Sequence, residues 1–309
     1  MRQDFRIVEL FLQYALQGLK LGSIYALIAL GYTMVYGVLR LINFAHGDVF
    51  MLGAMLSIYF ARWTKLGAHP SWISLVAIMA MAMVACGLIG GVIERVAYRP
   101  LRNAPRLSLL ITAIGVSLFI EYAGQLSQVF GATPQVFPSL VGNHQWTIAG
   151  KLTISTVEAL VFVVAVLLML VLHGIVHHTK LGLAMRAVSF NFQAASLMGV
   201  NVNRVISFTF VLGSALAGAA GVLYGLSYHS VDPLCGFMPG IKAFVAAVLG
   251  GIGSIPGALL GGFLLGEAET LTAGYISSTY KDAIAFVILI VVLLVKPSGL
   301  LGKRVVEKV

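Results

Sequence analysis

The stretch GLKLGSIYALIALGYTMVYGVLRLINFAHGD, residues 18–48, combines the two features that decide the fold. From Leu21 to Leu39 it carries no charged side chain, and an apolar run of about 20 residues is what an α-helix needs to cross a hydrocarbon core. Its end, LRLINFAHGD (39–48), then interrupts the run with Arg40, Asn43, His46, Gly47 and Asp48. Polar and helix-breaking residues at that depth require protein or a water-filled cavity around them, as in the broken helices of transporters. The alternative is an ordinary loop between two helices, and the sequence leaves both open.

Working outward, apolar segments lie at roughly 10–38, 48–64, 72–96, 107–130, 156–177, 205–228, 240–273 and 282–296. The seventh is long enough to be two pieces and is broken by Gly250, Gly251, Gly253, Pro256 and Gly257, which predicts a half-helix, an unwound turn and a full helix. The expected fold is therefore all-α: one polytopic membrane domain over residues 1–309, with about eight or nine membrane elements. Of the 309 residues 59% are hydrophobic and 10% charged, against about 25% charged in soluble domains. A mean hydropathy of +0.97 makes the bilayer the solvent for most of the chain.

The net charge of +9 is spread over short segments between apolar runs. A nucleic-acid binder instead gathers such charge on one soluble face with stacking aromatics, so no nucleic-acid partner is expected. Arg95, Arg99, Arg102 and Arg106, then Lys180, Arg186 and Arg204, then Lys296, Lys303, Arg304 and Lys308 mark three cytoplasmic segments. Residues 131–155, with Pro134, Pro138, Trp146 and only Lys151, read as an external loop. Strict counting puts Met1 outside although Arg2 and Arg6 favour the inside; the expectation is outside. No cleavage site follows a short apolar core, so the first segment is read as retained. Cys86 and Cys235 share no short spacing and imply neither a disulfide framework nor a metal site.

Small residues recur every four positions at Gly213, Ala217, Gly221 and Gly225, and again at Gly253, Gly257 and Gly261. Such stripes let helix backbones approach closely in lipid; packing within the bundle is the first reading, a pore lining or subunit contact the second. Intramembrane carboxylates are costly. Glu121 and Glu267 read as the deepest and as candidates for a solute pathway or for a structural hydrogen bond; Glu269 also falls within an apolar run, and Glu158 suits a helix start. His46 and Asp48 lack a partner nucleophile for acid–base catalysis. His177, His178 and Lys180 suit a helix C-terminus, and no metal-ligand set accompanies them.

The segment TKLGLAMRAVSFNFQAASLMGVNVNR (179–204) is too polar to span, and Leu181, Ala184, Val188, Ala195 and Met198 recur at helical spacing. It reads as a short amphipathic helix beneath the membrane, resting on lipid, on its own bundle, or in a partner's groove.

Five ordered motifs, residues 18–48, ERVAYRPLR (94–102), LGLAMRAVSFNFQAASLMGVNVNR (181–204), VLGGIGSIPGALLGG (248–262) and KPSGLLG (296–302), resemble the LivH-type permeases of branched-chain amino acid ABC importers. The resemblance runs from about residue 10 to the C-terminus. It implies a bacterial inner-membrane subunit that pairs with a LivM-like second permease, sits on two cytoplasmic ATPase subunits and receives solute from a periplasmic binding protein. It also implies that Leu181, Gly182, Ala184, Arg186 and Ala187, followed by Asn191, Ala194 and Gly199, form the coupling helix that docks on the ATPase. Phe190 and Phe192 depart from the residues usual there. The loop HSVDPLCGFMPGIKAF (229–244) departs too, and is expected to face the binding protein or the outer gate.

The chain itself is expected to be no enzyme and to bind no cofactor. GGIGSIPGA (250–258) lacks the lysine of a nucleotide-binding loop, and no G-x-x-x-x-G-K-[ST] occurs. The expected pathway residues are Asn43, Phe44, His46, Gly47, Glu121, Gly253, Ser254 and Glu267. Branched-chain or other neutral amino acids are the expected cargo. Urea or short amides are the alternative within the family, and an ion-coupled secondary transporter, with Glu121 and Glu267 as its deep carboxylates, is the alternative outside it.

Overall fold

A computed structural model describes residues 2–39, 41–102, 104–148 and 152–302. Arg40, Lys151, Lys303, Arg304 and Lys308 lie outside them, as do the side chains of Arg2, Arg6 and Arg106.

Eleven α-helices follow in order among the described residues: α1 (Arg2–Leu39), α2 (His46–Trp63), α3 (Trp72–Ile93), α4 (Arg106–Gln125), α5 (Thr156–His178), α6 (Lys180–Phe190), α7 (Phe192–Leu197), α8 (Val202–Tyr228), α9 (Phe237–Gly250), α10 (Ile255–Tyr275) and α11 (Lys281–Val295). Six helical stretches are long and apolar enough to cross a membrane: Val8–Leu39, Trp72–Leu101, Leu107–Gln125, Thr156–His178, Val202–Tyr228 and Ser278–Val295. The helices α2, α9 and α10 pack among them, so nine elements make the bundle. The chain is thus a multi-pass membrane protein.

Helix starts are written in side chains. Ser155 and Glu158 form a capping box on α5, Ser71 accepts from Ser74 N–H on α3, and Ser254 accepts from Gly257 N–H ahead of Pro256 on α10; each cap satisfies amide protons that the first helical turn leaves free. Glu158 thus serves its helix start, and Lys20 Nζ lies 3.4 Å from it.

The middle of the bundle is α8, packed against α1, α2 and α3. Where the sequence stripe predicts close packing the backbones meet. A Cβ on Gly213 would lie 3.3 Å from Gly31 O, one on Gly221 would lie 2.5 Å from Phe50 O, and Gly225 faces the Phe137 ring. The helices α9 and α10 fold back on each other as a hairpin, with Gly250 against Gly257 and Gly261 against Ala246. The reversal uses left-handed backbone at Gly251 (φ 103°) and Gly253 (φ 95°), which a side chain would strain. The expected half-helix, turn and full helix are all present.

Two ends of the bundle can be told apart. At one, Gln13 Nε2 donates to Thr153 O (3.1 Å), Tyr14 meets Tyr275, and β1 (Gln135–Val136) pairs antiparallel with β4 (Ser230–Val231). A hairpin of β2 (Gln145–Ile148) and β3 (Leu152–Ser155), registered Gln145 to Ser155, also lies there. At the other end sit residues 94–102, α6 and α7, and the turn 296–302 beneath α9. The N-terminal part of α1 therefore shares an end with the 131–155 loop. The two short ladders are the departure from an all-α chain, and both lie where the helices have ended. The expected loop 229–244 is shorter than drawn, because α9 already begins at Phe237.

Candidate functional site

After Leu39 the chain leaves the helix, and His46 N–H returns to Asn43 O (3.1 Å) to start α2 inside the bundle. Asn43, His46 and Asp48 are 3, 1 and 2% exposed, so this is a buried break and not a surface loop. Asn43 and Asp48 are held by hydrogen bonds from the body of the protein. Tyr98 OH donates to Asn43 Oδ1 (2.7 Å), and Ser117 Oγ donates to Asp48 Oδ2 (2.5 Å) with Glu121 beside it. The His46 ring packs on Gly31 and edge-on to Tyr32 (4.8 Å), its nitrogens buried without a hydrogen bond of normal geometry. Gly47 lies against Gly236 and Gly240, which lets α9 approach the start of α2.

The second break comes close to the first. Tyr36 and Ile42 share a small crevice with Phe244 and Ile252, Phe44 and Phe244 have ring centroids 6.3 Å apart, and Gly37 faces Gly253. Asn43, Phe44, Gly253 and Ser254 therefore gather around the end of α1, with Phe44 and Ser254 half-buried and Gly253 exposed. Two expected members do not join them. Glu121 is buried with Asp48 where α4 meets α2, and Glu267 is half-buried against Gly18 toward the loop end of the bundle.

Glu267 is also not among the deepest carboxylates. Glu269, two residues on, is 5% exposed and is met by Lys242 Nζ (2.6 Å) and Tyr25 OH (2.8 Å); Lys242 Nζ also lies 2.5 Å from Asp282. Two positions along a helix turn the side chain to another face. Within an apolar run nothing marked which face was inward, and α10 presents Glu269, not Glu267, to α9. Lys242 itself carried a signal that went unused: a single cation inside GIKAFVAAVLG, whose counter-ion had to be nearby. Glu94 was missed for the opposite reason. It stands beside Arg95 in a segment read for its positive charges, yet it is 0% exposed and paired with Arg102.

The amphipathic segment 179–204 differs from the single helix expected. It is two helices, α6 and α7, broken at Asn191, whose extended backbone (φ −157°) ends α6 and whose Oδ1 accepts from Ala194 N–H (3.0 Å) to start α7. Gly199 (φ 83°) closes α7. Gly182, Met185, Val188 and Ala195 face inward; Leu181, in the first turn of α6, and Met198, which follows the end of α7, are outside. Gly182 sits on the Ile175 and Val176 carbonyls at the end of α5, so its missing side chain serves the α5–α6 corner. Ala184 and Ala187 are half-buried, and Arg186 is exposed with one long contact, Nη2 to His177 O at 3.5 Å. Phe190, Leu197 and Met198 are 90, 88 and 85% exposed.

The family described as branched-chain amino acid transport system / permease component matches residues 14–293. The high-affinity branched-chain amino acid transport system permease protein LivH of Escherichia coli K12 is 47% identical, over 97% of this chain and 98% of its own. The corresponding permease protein BraD of Pseudomonas aeruginosa is 46% identical over the same shares. A probable LivH of Methanocaldococcus jannaschii is 31% identical over 91% of this chain and 89% of its own. With the match running through both breaks and the α6–α7 pair, the chain belongs to the permease components of branched-chain amino acid transport systems.

Proposed function

We propose that this chain is one of two membrane-spanning subunits of an ATP-driven, binding-protein-dependent importer in the inner membrane, and that it carries branched-chain amino acids. The observation that carries this reading is the α6–α7 pair. Phe190, Leu197 and Met198 stand almost fully exposed at the end of the bundle that bears the basic segments, and a cluster of large apolar side chains at a water-facing end is what a partner's groove would cover. The partners proposed with it are two ATPase subunits below, a LivM-like permease alongside, and a periplasmic binding protein above. The pathway would pass the paired breaks at Asn43–Gly47 and Gly251–Ser254, where unwound backbone lines the crevice beside Tyr36 and Phe244. ATP-driven closure of the ATPases would move α6 and α7 and alternate the access of that crevice.

The test is co-expression with the neighbouring permease, ATPase and binding-protein genes. A complex that co-purifies, and that hydrolyses ATP faster when leucine-loaded binding protein is added, supports the reading. Uptake by this chain alone on a proton or sodium gradient overturns it. Calorimetry of the binding protein with leucine, isoleucine, valine, urea and short amides identifies the cargo.

A further inference from the structure

We propose that the turn formed by Glu94–Arg102 is a positioning element that transmits movement of the α6–α7 pair to the Asn43 break; this rests on reading that pair as the ATPase docking site. The residues are ERVAYRPLR, whose arginines first read only as a marker of sidedness. In the structure α3 runs into a five-residue π turn, Glu94–Tyr98, and then a 3-10 turn, Arg99–Leu101, containing Pro100. Single π turns appended to α-helices are rare and concentrate at functional sites.

The turn is held from both sides by polar contacts, with Glu94 and Tyr98 buried, Arg102 and Ser207 half-buried and Asn203 exposed. On the docking side, Glu94 accepts from Arg102 and from Ser207 Oγ (2.6 Å), while Arg102 Nη1 donates to Asn203 Oδ1 (2.6 Å). Asn203 and Ser207 lie in the first two turns of α8, directly after the Asn201 cap that follows α7. On the pathway side, Tyr98, 1% exposed, packs on Phe210 (5.3 Å) and donates its only hydroxyl proton to Asn43. The chain of contacts runs α7, Asn201, Asn203 and Ser207, Glu94 and Arg102, Tyr98, Asn43. A buried carboxylate with every partner in place resists slipping, because any shift strands a charge in low dielectric. The turn should therefore move as one body.

Next to it is room for movement. A cleft of about 860 Å³ separates Leu41, Tyr98 and Arg102 from Phe190, Asn191 and Phe192. The junction between α6 and α7, at Phe190 and Phe192, thus faces open volume, and a displacement carried through the buried Met185, Val188 and Ala195 moves the α8 base, tied to Glu94 and Arg102.

Contiguity alone is not coupling, so the test reads coupling itself. In proteoliposomes holding the full complex, leucine imported per ATP hydrolysed is measured with leucine-loaded binding protein. Tyr98→Phe keeps the ring and removes one hydrogen bond. It should leave assembly and stimulated ATPase within about 2-fold of the parent while lowering leucine per ATP at least about 5-fold, the low end of ordinary coupling. Asn43→Ala should lower the ratio similarly, and the double variant should be no worse than the single ones. A merely structural role lowers both rates together and leaves their ratio intact; an unchanged ratio with normal assembly, or additive losses in the double variant, overturns the proposal. Parent complex that fails to retain its ATPases overturns the docking reading, and the proposal with it.

Discussion

Two helix pairs joined by a break sit in this bundle, and they are finished in opposite ways. The α9–α10 hairpin closes on itself: glycines at 250, 257 and 261 bring backbone to backbone, Lys242 is neutralised by Glu269 and Asp282, and the last carbonyls of α9 are taken by the chain's own later residues. The α6–α7 pair is capped by side chains, Thr179 at the start of α6 and Asn191 at the start of α7, and turns Phe190, Leu197 and Met198 outward. Where a pair is completed within the chain, the sequence spends small residues and paired charges; where it is left open, as the proposed docking on a partner requires, it spends side-chain caps and large apolar groups. Helix breaks of similar length thus belong to different classes, told apart by what surrounds them.

The contrast breaks most easily at Lys242. Lys242→Met strands Glu269, and losing one member of a buried ion pair costs about 3–5 kcal/mol; the detergent-solubilised protein should melt far earlier, and Lys242→Met with Glu269→Gln should recover part of the loss. A single variant that melts with the parent would show that the ionic cluster does not hold the hairpin. Next comes the docking pair. Arg186→Glu should leave the melting temperature of the isolated chain unchanged but weaken assembly by about 2–5 kcal/mol, as for a lost charged partner at an interface, with ATPase stimulation gone. Lys151→Glu should alter neither, and the reverse pattern would invert the orientation of the chain.

A smaller loss is expected at Gly261→Val, whose side chain would meet the Ala246 carbonyl; overpacking of this kind costs about 1–3 kcal/mol, read as a lower melting temperature. Smallest in stability is a pair of cysteine probes. Phe44→Cys and Ser254→Cys should each react with a small hydrophilic thiol reagent from one side, at a rate that changes during ATP turnover. Cysteines inert in every state would place both breaks in lipid-shielded packing.

Much of this was legible in the sequence. The apolar runs, the glycine hairpin and the position of the amphipathic segment 179–204 follow from residue type and spacing alone, because lipid forces backbone pairing into helices and close approach into glycine. Which face of a helix is inward did not follow. Glu267 and Glu269 are two residues apart in a run apolar on every side, and only the partner helix decides between them. The Asn191 break went unread because the apolar period continues across it, although an asparagine with two free residues ahead of an amide is a recognisable cap. The ion pair of Glu94 with Arg102 was hidden by reading basic residues for sidedness, which treats each as solvated.

One contact reaches across the chain. Leu300 N–H donates to Leu249 O (2.8 Å) and Leu301 N–H to Gly250 O (2.9 Å), with Gly299 seated on Gly251. The exposed carbonyls at the end of a half-helix are a liability in lipid, since each unmet one costs several kcal/mol. Here their donors lie some fifty residues downstream, beyond two further helices. During synthesis α9 therefore emerges before the groups that complete it exist, and its last two carbonyls gain these donors only once the turn behind α11 is in place. A chain stalled or cut before that turn lacks the donors for the Leu249 and Gly250 carbonyls, beside the break at which solute is proposed to pass.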